Sequence, residues 1–402
     1  MNKSFTPKIS KSFMWTFTQS VLSLSIDFGG LVAGAFLALY LEPLSSVPWG
    51  LLIFPGLLSV RGSIGGMSSS RLGTALHLGT IQARFTNNTR DYYLLLAAIA
   101  TMNLVSCFVL SVLSTFFGLL FLNVKIGDFP DILGVLLLTM GLSIVFITPL
   151  TIGIAILSFK KGLDPDIIVY PVISTLADIA VTLCYVLAVT GYFSSSFGRY
   201  LIWIIDSVFI VVVGTIFVKN SREKEYLKMV REFFITLIII ATIVNVSGIS
   251  LNKIRESIGR KPGVFMVYPA LIDAVGDVGS IIGSTATTKL ALGLLSPSIT
   301  SMKDHASTIC AAWSSSTIMF FMFSVVVSLF YNSFSSRFIP FSLQLLTTNV
   351  LAVPPIILIT YATSTITYKR GLDPDNFTVP IESSLADAIT TLSLLVAVTA
   401  FS

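Results

Sequence analysis

Lys160-Lys161-Gly162-Leu163-Asp164-Pro165-Asp166 returns 209 residues later as Lys369-Arg370-Gly371-Leu372-Asp373-Pro374-Asp375. The match continues without a gap: Pro171 meets Pro380, Leu176-Ala177 meets Leu385-Ala386, and Asp178 meets Asp387. A second, looser correspondence pairs Pro55, Leu57, Gly62 and Gly65 with Pro269, Leu271, Gly276 and Gly279, 214 residues on. Two matches at nearly the same offset mark an internal duplication. The surrounding composition says what is duplicated. Of 402 residues, 54% are apolar and only 11% are Asp, Glu, Lys or Arg, against about 25% charged in ordinary soluble domains. Mean hydropathy is +0.89. A chain this poor in charge cannot cover a water-facing surface, which excludes a soluble enzyme, a disordered chain and a disulfide scaffold.

A helix needs about 20 apolar residues to cross the hydrocarbon. Eleven stretches qualify: 18–41, 49–80, 92–123, 132–159, 164–192, 200–218, 232–252, 263–293, 306–331, 341–368 and 373–401. The expected fold is an all-α polytopic membrane protein. Its first five-helix repeat covers 13–192, a connecting helix and charged linker cover 193–231, and the second five-helix repeat covers 232–402. Five is odd, so directly joined copies would be inverted. The extra helix at 200–218 makes them parallel. The formal net charge of +5 sits mainly in short loops, where it reads as a positive-inside signal rather than a nucleic-acid surface. The expectation is a cytoplasmic N-terminus followed by an uncleaved first span, a C-terminus outside, and a place in the plasma membrane. Cys107, Cys184 and Cys310 form no CxxC, and His77 and His305 are far apart, so no zinc site, disulfide framework or resident cofactor is indicated.

Carboxylates inside the spans carry the chemical signal. An Asp at the centre of a membrane helix costs about 2.5–3.5 kcal/mol on insertion scales, and such residues line ion or substrate paths. Asp178 and Asp387 fall 14 residues beyond Asp164 and Asp373, about 21 Å along a helix. Pro171 and Pro380 lie two turns before them and free a backbone carbonyl each. Ser174 and Thr175, or Ser383 and Ser384, lie one turn before. Carboxylate, carbonyl and hydroxyl on one stripe suit a hard cation such as magnesium or calcium, and facing carboxylates can hold magnesium through its waters. A plain hydrogen bond from each Asp to a neighbouring helix is the simpler alternative.

Other acids are more ambiguous. Asp164 and Asp373 read as N-caps, with Pro165 and Pro374 in the first helical turn and Asp166 and Asp375 complementing the helix dipole. The same four would form an acidic cytoplasmic vestibule that concentrates cations. The second span of each repeat is rich in small residues, and Gly62, Ser63, Gly276 and Gly279 read either as pore lining or as close helix contacts. The second repeat alone carries Asp273, Asp277 and Glu382, where the first has Ser59, Ser63 and Ile173. These three are candidates for a second cation or coupling site, with internal salt bridges to Arg61 or Lys289 as the competing reading. Arg71 and Lys289 read as inner-end cations that snorkel to phosphates. Asp206 stands alone in the connecting helix and receives no role.

Pro-x-Leu before a Gly-rich helix, and Leu-Asp-Pro-Asp with a later Pro and Leu-Ala-Asp, resemble the membrane domain of MgtE-type magnesium transporters. Two such domains in one chain resemble the two-repeat relatives, solute carrier family 41. The resemblance covers nearly the whole chain outside 200–231. It implies a non-enzymatic transporter for magnesium or a related divalent cation, with the ion as substrate. The path would run between the repeats of a pseudo-dimeric single chain in the lipid bilayer, whether or not that chain oligomerises further. It also implies that Asp178 and Asp387 bind the hydrated ion. The sequence departs from the family's Gly-Asn in the second helix at Gly62-Ser63 and Gly276-Asp277. The family's cytoplasmic sensing domains have no counterpart in these residues, so gating is expected within the membrane domain, at the connector or through a partner. Sodium- or proton-coupled exchange is the alternative mechanism. An intramembrane aspartyl protease is the alternative of another class. It needs Gly-x-Gly-Asp, and Ala274-Val275-Gly276-Asp277 lacks the first glycine.

Overall fold

The computed structural model describes residues 9–160, 165–258, 261–331, 338–370 and 374–401. Its helices are α1 (Ile9–Leu24), α2 (Phe28–Leu39), α3 (Leu41–Ser45), α4 (Phe54–Leu78), α5 (Arg90–Phe121), α6 (Phe129–Lys160) and α7 (Pro165–Ser194). There follow α8 (Ser196–Asn220), α9 (Lys224–Ile258), α10 (Pro262–Ala291), α11 (Ala306–Phe330), α12 (Phe338–Lys369) and α13 (Pro374–Ala400). With no strand among the described residues, every long apolar stretch satisfies its backbone within itself, as the hydrocarbon demands.

Ten of the eleven expected spans are helices long and apolar enough to cross a membrane, among the described residues. The exception is the stretch 49–80. Residues 46–53 form turns, and the helix that follows, α4, carries Arg61, Arg71 and a run of glycines and serines. Its length suffices, but its composition suits a protein-lined position rather than lipid. The first span is also broken. A short 3₁₀ turn at Ser25–Asp27 separates α1 from α2 and carries the buried Asp27.

The chain packs as two units: Met1–Leu31 with Lys253–Ser402, and Val32–Asn252. Each contains one copy of the same four-helix scheme. In one unit α4 packs on α5, α6 and α7, α5 on α6, and α6 on α7; in the other α10 packs on α11, α12 and α13, α11 on α12, and α12 on α13. The duplication read at two offsets is thus a duplication of packing. The first helix of the chain, α1, packs against α11, where Ser315 Oγ reaches the Phe17 carbonyl at 3.2 Å.

Many of the small polar residues at the helix interfaces return their hydroxyls to their own backbone. Ser106 donates to Met102 O (2.7 Å), Ser111 to Cys107 O (2.6 Å) and Ser315 to Ala311 O (2.9 Å), each one turn back on its own helix. This back-bonding lets helices approach closely in a medium that offers no water. Glycine serves the same end where backbones touch. A Cβ at Gly248 of α9 would collide with the Leu52 carbonyl, and one at Gly30 would lie 2.8 Å from the Ala270 backbone.

The connecting helix α8 packs on α5, α6 and α7. Most of its surface is apolar and exposed, including Ile204, Val208, Val211 and Val218, while Ile202, Asp206 and Val213 are buried. That pattern is a lipid-facing helix with one inward stripe.

Candidate cation-binding sites

Asp178 of α7 and Asp387 of α13 are both buried, at 6% and 7% exposure. They lie in different units and are described separately. Ser174 and Thr175 are half-buried beside Asp178; Ser383 is half-buried and Ser384 fully buried beside Asp387. Asp178, Thr175, Asp387 and Ser384 all have interaction partners. The side chains of Pro171 and Pro380 fall outside the described residues, as do those of the vestibule acids Asp164, Asp166, Asp373 and Asp375.

A turn beyond each aspartate stands a threonine that the sequence motifs do not single out. Thr391 donates to the Asp387 carbonyl at 2.5 Å, and its hydroxyl also meets the Tyr268 hydroxyl at 3.0 Å. Tyr268 lies within electrostatic reach of Asp387. Its equivalent in the other repeat, 214 residues earlier, is Phe54, and Thr182 is the equivalent of Thr391. Thr182 is fully buried and its hydroxyl has no hydrogen-bond partner among the described residues. The Tyr268 hydroxyl is thus one difference between the surroundings of the two aspartates, beside Glu382 in place of Ile173. The same offsets that reveal the repeat are enough to expose this difference.

The second-repeat acids are partly brought together. Asp277 of α10 and Glu382 of α13 interact electrostatically, with Thr360 of α12 beside Glu382. Glu382 is buried at 4% exposure, and Asp273 and Asp277 are half-buried. Glu382 folds over Gly279: a Cβ there would collide with its Oε1 and lie 2.8 Å from Ile356. Gly279, expected as pore lining, therefore makes room for a carboxylate. Gly62 differs, since a Cβ added there meets nothing within 4 Å, and at Gly276 only Ala386 Cβ lies near, at 3.9 Å. Ser63 donates to Ser59 O at 2.8 Å.

Both inner-end cations have protein partners. Lys289 donates to His305 Nδ1 and Thr308 Oγ1, both at 3.0 Å. His305 Nε2 then faces Thr285 Oγ1 at 3.1 Å. With Nδ1 accepting from the ammonium, Nε2 carries the proton and donates to Thr285, whose hydroxyl donates onward to Ile281 O at 2.6 Å. This cluster, rather than a salt bridge to the second-repeat acids, holds Lys289. Arg71 forms an ion pair with Glu232 at 3.2 Å. A histidine and a carboxylate within reach compete with lipid phosphate for the two cations.

Among the described residues, no three His, Cys, Asp or Glu side chains converge as a metal cluster. Asp277 and Glu382 are the acids that come together as a pair.

The family model for MgtE divalent cation transporters matches residues 54–188 and 268–397, more than half of the chain. The chain belongs to the MgtE family of divalent cation transporters. The two matched segments begin at α4 and at α10 and end within α7 and α13, so each covers one copy of the four-helix scheme. No solved structure matches the chain at a significant level. As an MgtE-family member with ten helices long and apolar enough to cross a membrane among its described residues, it is an integral membrane protein whose cargo is a divalent cation. Its family is one of transporters, not enzymes.

Proposed function

We propose that the chain carries magnesium across the plasma membrane, its N-terminus cytoplasmic, along a path lined by Asp178 and Asp387. One observation carries this reading: the same acid recurs 209 residues apart, buried in the fifth helix of both repeats. Burying a membrane carboxylate is costly, and doing so twice at equivalent positions argues for a shared task. Hydroxyls of Ser174, Thr175, Ser383 and Ser384 supply oxygen groups nearby, which suits a hard cation and offers little to zinc or copper. Since one chain supplies both aspartates, the pathway needs no second copy. Inward movement of a divalent ion gains about 4.6 kcal/mol per 100 mV, twice the single-charge value, so uniport can run on voltage alone.

Coupled exchange is the second reading, favoured by the Asp277–Glu382 pair, which only the second repeat has. The test is magnesium uptake into proteoliposomes with an internal fluorescent indicator, with and without a membrane potential and an opposing sodium or proton gradient. Uniport predicts uptake that follows voltage and falls at least tenfold in Asp178→Asn/Asp387→Asn. Exchange predicts uptake that needs the opposing gradient and loses that requirement in Asp277→Asn. Full activity in the double variant would remove Asp178 and Asp387 from the path.

A further inference from the structure

The turn from α8 into α9 gathers cations on one exposed surface. Lys219, Arg222, Lys224, Lys228 and Arg231 are all exposed, and all lie in the unit Val32–Asn252. The same stretch has three acids. Glu223 is held by an ion pair with Arg90 of α5, and Glu232 by one with Arg71 of α4, so each of these acids is matched by a cation from outside the stretch. Glu225 is the third acid. The stretch keeps a clear positive excess.

What α9 buries fixes the direction of these cations. Tyr226, Met229, Phe233, Leu237 and Ile240 are buried, at the spacing of one helical stripe. The Tyr226 hydroxyl meets Thr101 Oγ1 of α5 at 2.6 Å, and its ring centre lies 6.3 Å from that of Phe217 in α8. Glu223 N donates to Asn220 O at 3.0 Å across the turn. Lys224, Lys228 and Arg231 share the outward face of the helix, three and four residues apart. That face continues as Ile235 and Ile238, which are 58% and 43% exposed. It therefore changes from cationic to apolar between Arg231 and Ile235. On α8, exposed Val218 is likewise followed by exposed Lys219. Exposed apolar side chains of a membrane helix face lipid tails, so cations that border them stand at the level of the headgroups. Lys224 to Arg231 covers about 10 Å of helix, comparable to a headgroup layer about 5–8 Å deep.

Phosphate is the anion present at that level. A zwitterionic headgroup brings its own ammonium, whereas an anionic one brings net negative charge, which a positive excess selects. From five exposed cations on a braced helix turn that borders lipid-facing apolar surface, we infer that the α8–α9 turn binds anionic phospholipid headgroups of the leaflet it faces. Orientation in the membrane requires only an excess of cations in the loops of one side. Cations collected on one outward face, beside the tails, form a surface that a headgroup fits. The turn lies between the two repeats, so the duplication supplies no second copy of it.

The test places the full chain in nanodiscs of phosphatidylcholine, with or without phosphatidylglycerol, and follows amide hydrogen exchange over 219–231. Slower exchange with phosphatidylglycerol is expected in the native protein. The slowing is expected to vanish in Lys224→Gln/Lys228→Gln/Arg231→Gln and to persist in Lys253→Gln/Arg255→Gln, which removes two cations near the other end of α9. Native mass spectrometry gives a readout that needs no variant: offered both lipids in equal amounts, the purified chain is expected to retain severalfold more phosphatidylglycerol. The inference is overturned by equal exchange in the two bilayers, by equal retention of the two lipids, by a slowing that survives the triple variant, or by one lost as fully in Lys253→Gln/Arg255→Gln. The same slowing produced by inorganic phosphate in phosphatidylcholine nanodiscs would also overturn it, by assigning the surface to a free anion. Magnesium transport enters none of these readouts, so the lipid surface and the cation path stand or fall separately.

Discussion

A hydroxyl is among the differences between the two aspartates that the duplication makes equivalent. In one repeat Tyr268 OH, Thr391 Oγ1 and the Asp387 carbonyl form a chain; in the other Phe54 stands in for the tyrosine and Thr182 is left without a partner among the described residues. A typical net hydrogen bond contributes about 1 kcal/mol. Tyr268→Phe is therefore expected to destabilise by about that amount, seen as a lower unfolding midpoint, and to raise the magnesium concentration for half-maximal uptake. Phe54→Tyr is expected to do the opposite on stability by supplying Thr182 with a partner; an unchanged or lower midpoint would mean the added hydroxyl does not reach it. Asp206 poses a different question. It is 1% exposed, and neither carboxylate oxygen has a hydrogen-bond partner among the described residues. Gly134 lies beside it: a Cβ there would be 3.5 Å from Asp206 Oδ2, an ordinary contact, and 3.2 Å from the Tyr192 ring. An unsatisfied buried acid costs stability, and an apolar replacement of similar shape removes the penalty. Asp206→Leu is expected to hold or raise the unfolding midpoint while uptake continues. A marked loss of uptake in a folded variant would instead show that the acid takes part in transport.

At the scale of helices, the glycines separate into positions that let backbones meet and positions that face space. Gly248 meets the Leu52 carbonyl, and any Cβ there collides with backbone. Overpacking of this kind costs about 1–3 kcal/mol, so Gly248→Ala is expected to lower both the unfolding midpoint and the yield of folded protein. Gly62→Ala meets nothing and gains up to about 1 kcal/mol of helix propensity. A Gly62→Ala variant that is as stable as the native protein but slower in uptake would place Gly62 on the path; unchanged uptake would remove it. Sequence alone does not separate these cases. Gly62 and Gly279 both sit in small-residue runs, yet Gly279 lies under Glu382 and Gly62 does not. Which neighbour fills the space beside a glycine depends on residues a hundred or more positions away. The helices themselves are legible, because a 20-residue apolar stretch has few alternatives in lipid. α4 shows the limit of that rule: its charges and hydroxyls make a helix that is not apolar enough to count as a span.

Across the whole molecule, similarity and packing divide the chain differently. The repeats follow from sequence matches at two offsets, whereas the compact units follow from which side chains touch. α1 shows the difference. By sequence it precedes the first repeat's α4, yet it packs against α11, in the unit that contains Lys253–Ser402. Hydropathy marks α1 as a membrane helix but says nothing about its partner, since any apolar face is acceptable to any other and lipid is as apolar as either. The paired acids are legible for the opposite reason: a charge in a span is rare enough to stand out by itself. The placement of α1 has a measurable consequence. Fully buried residues of α11, including Ala311, Ala312 and Ser315, belong to the helix on which α1 packs, and removing α1 takes away the Phe17 carbonyl that Ser315 reaches. A chain lacking residues 1–24 is therefore expected to exchange amide hydrogens faster in α11 than the full chain does, while α4 to α7 keep their protection, because a helix opens locally more often once its packing partner is gone. Faster exchange in α4 to α7 with α11 unchanged would return α1 to the unit that its place in the sequence suggests.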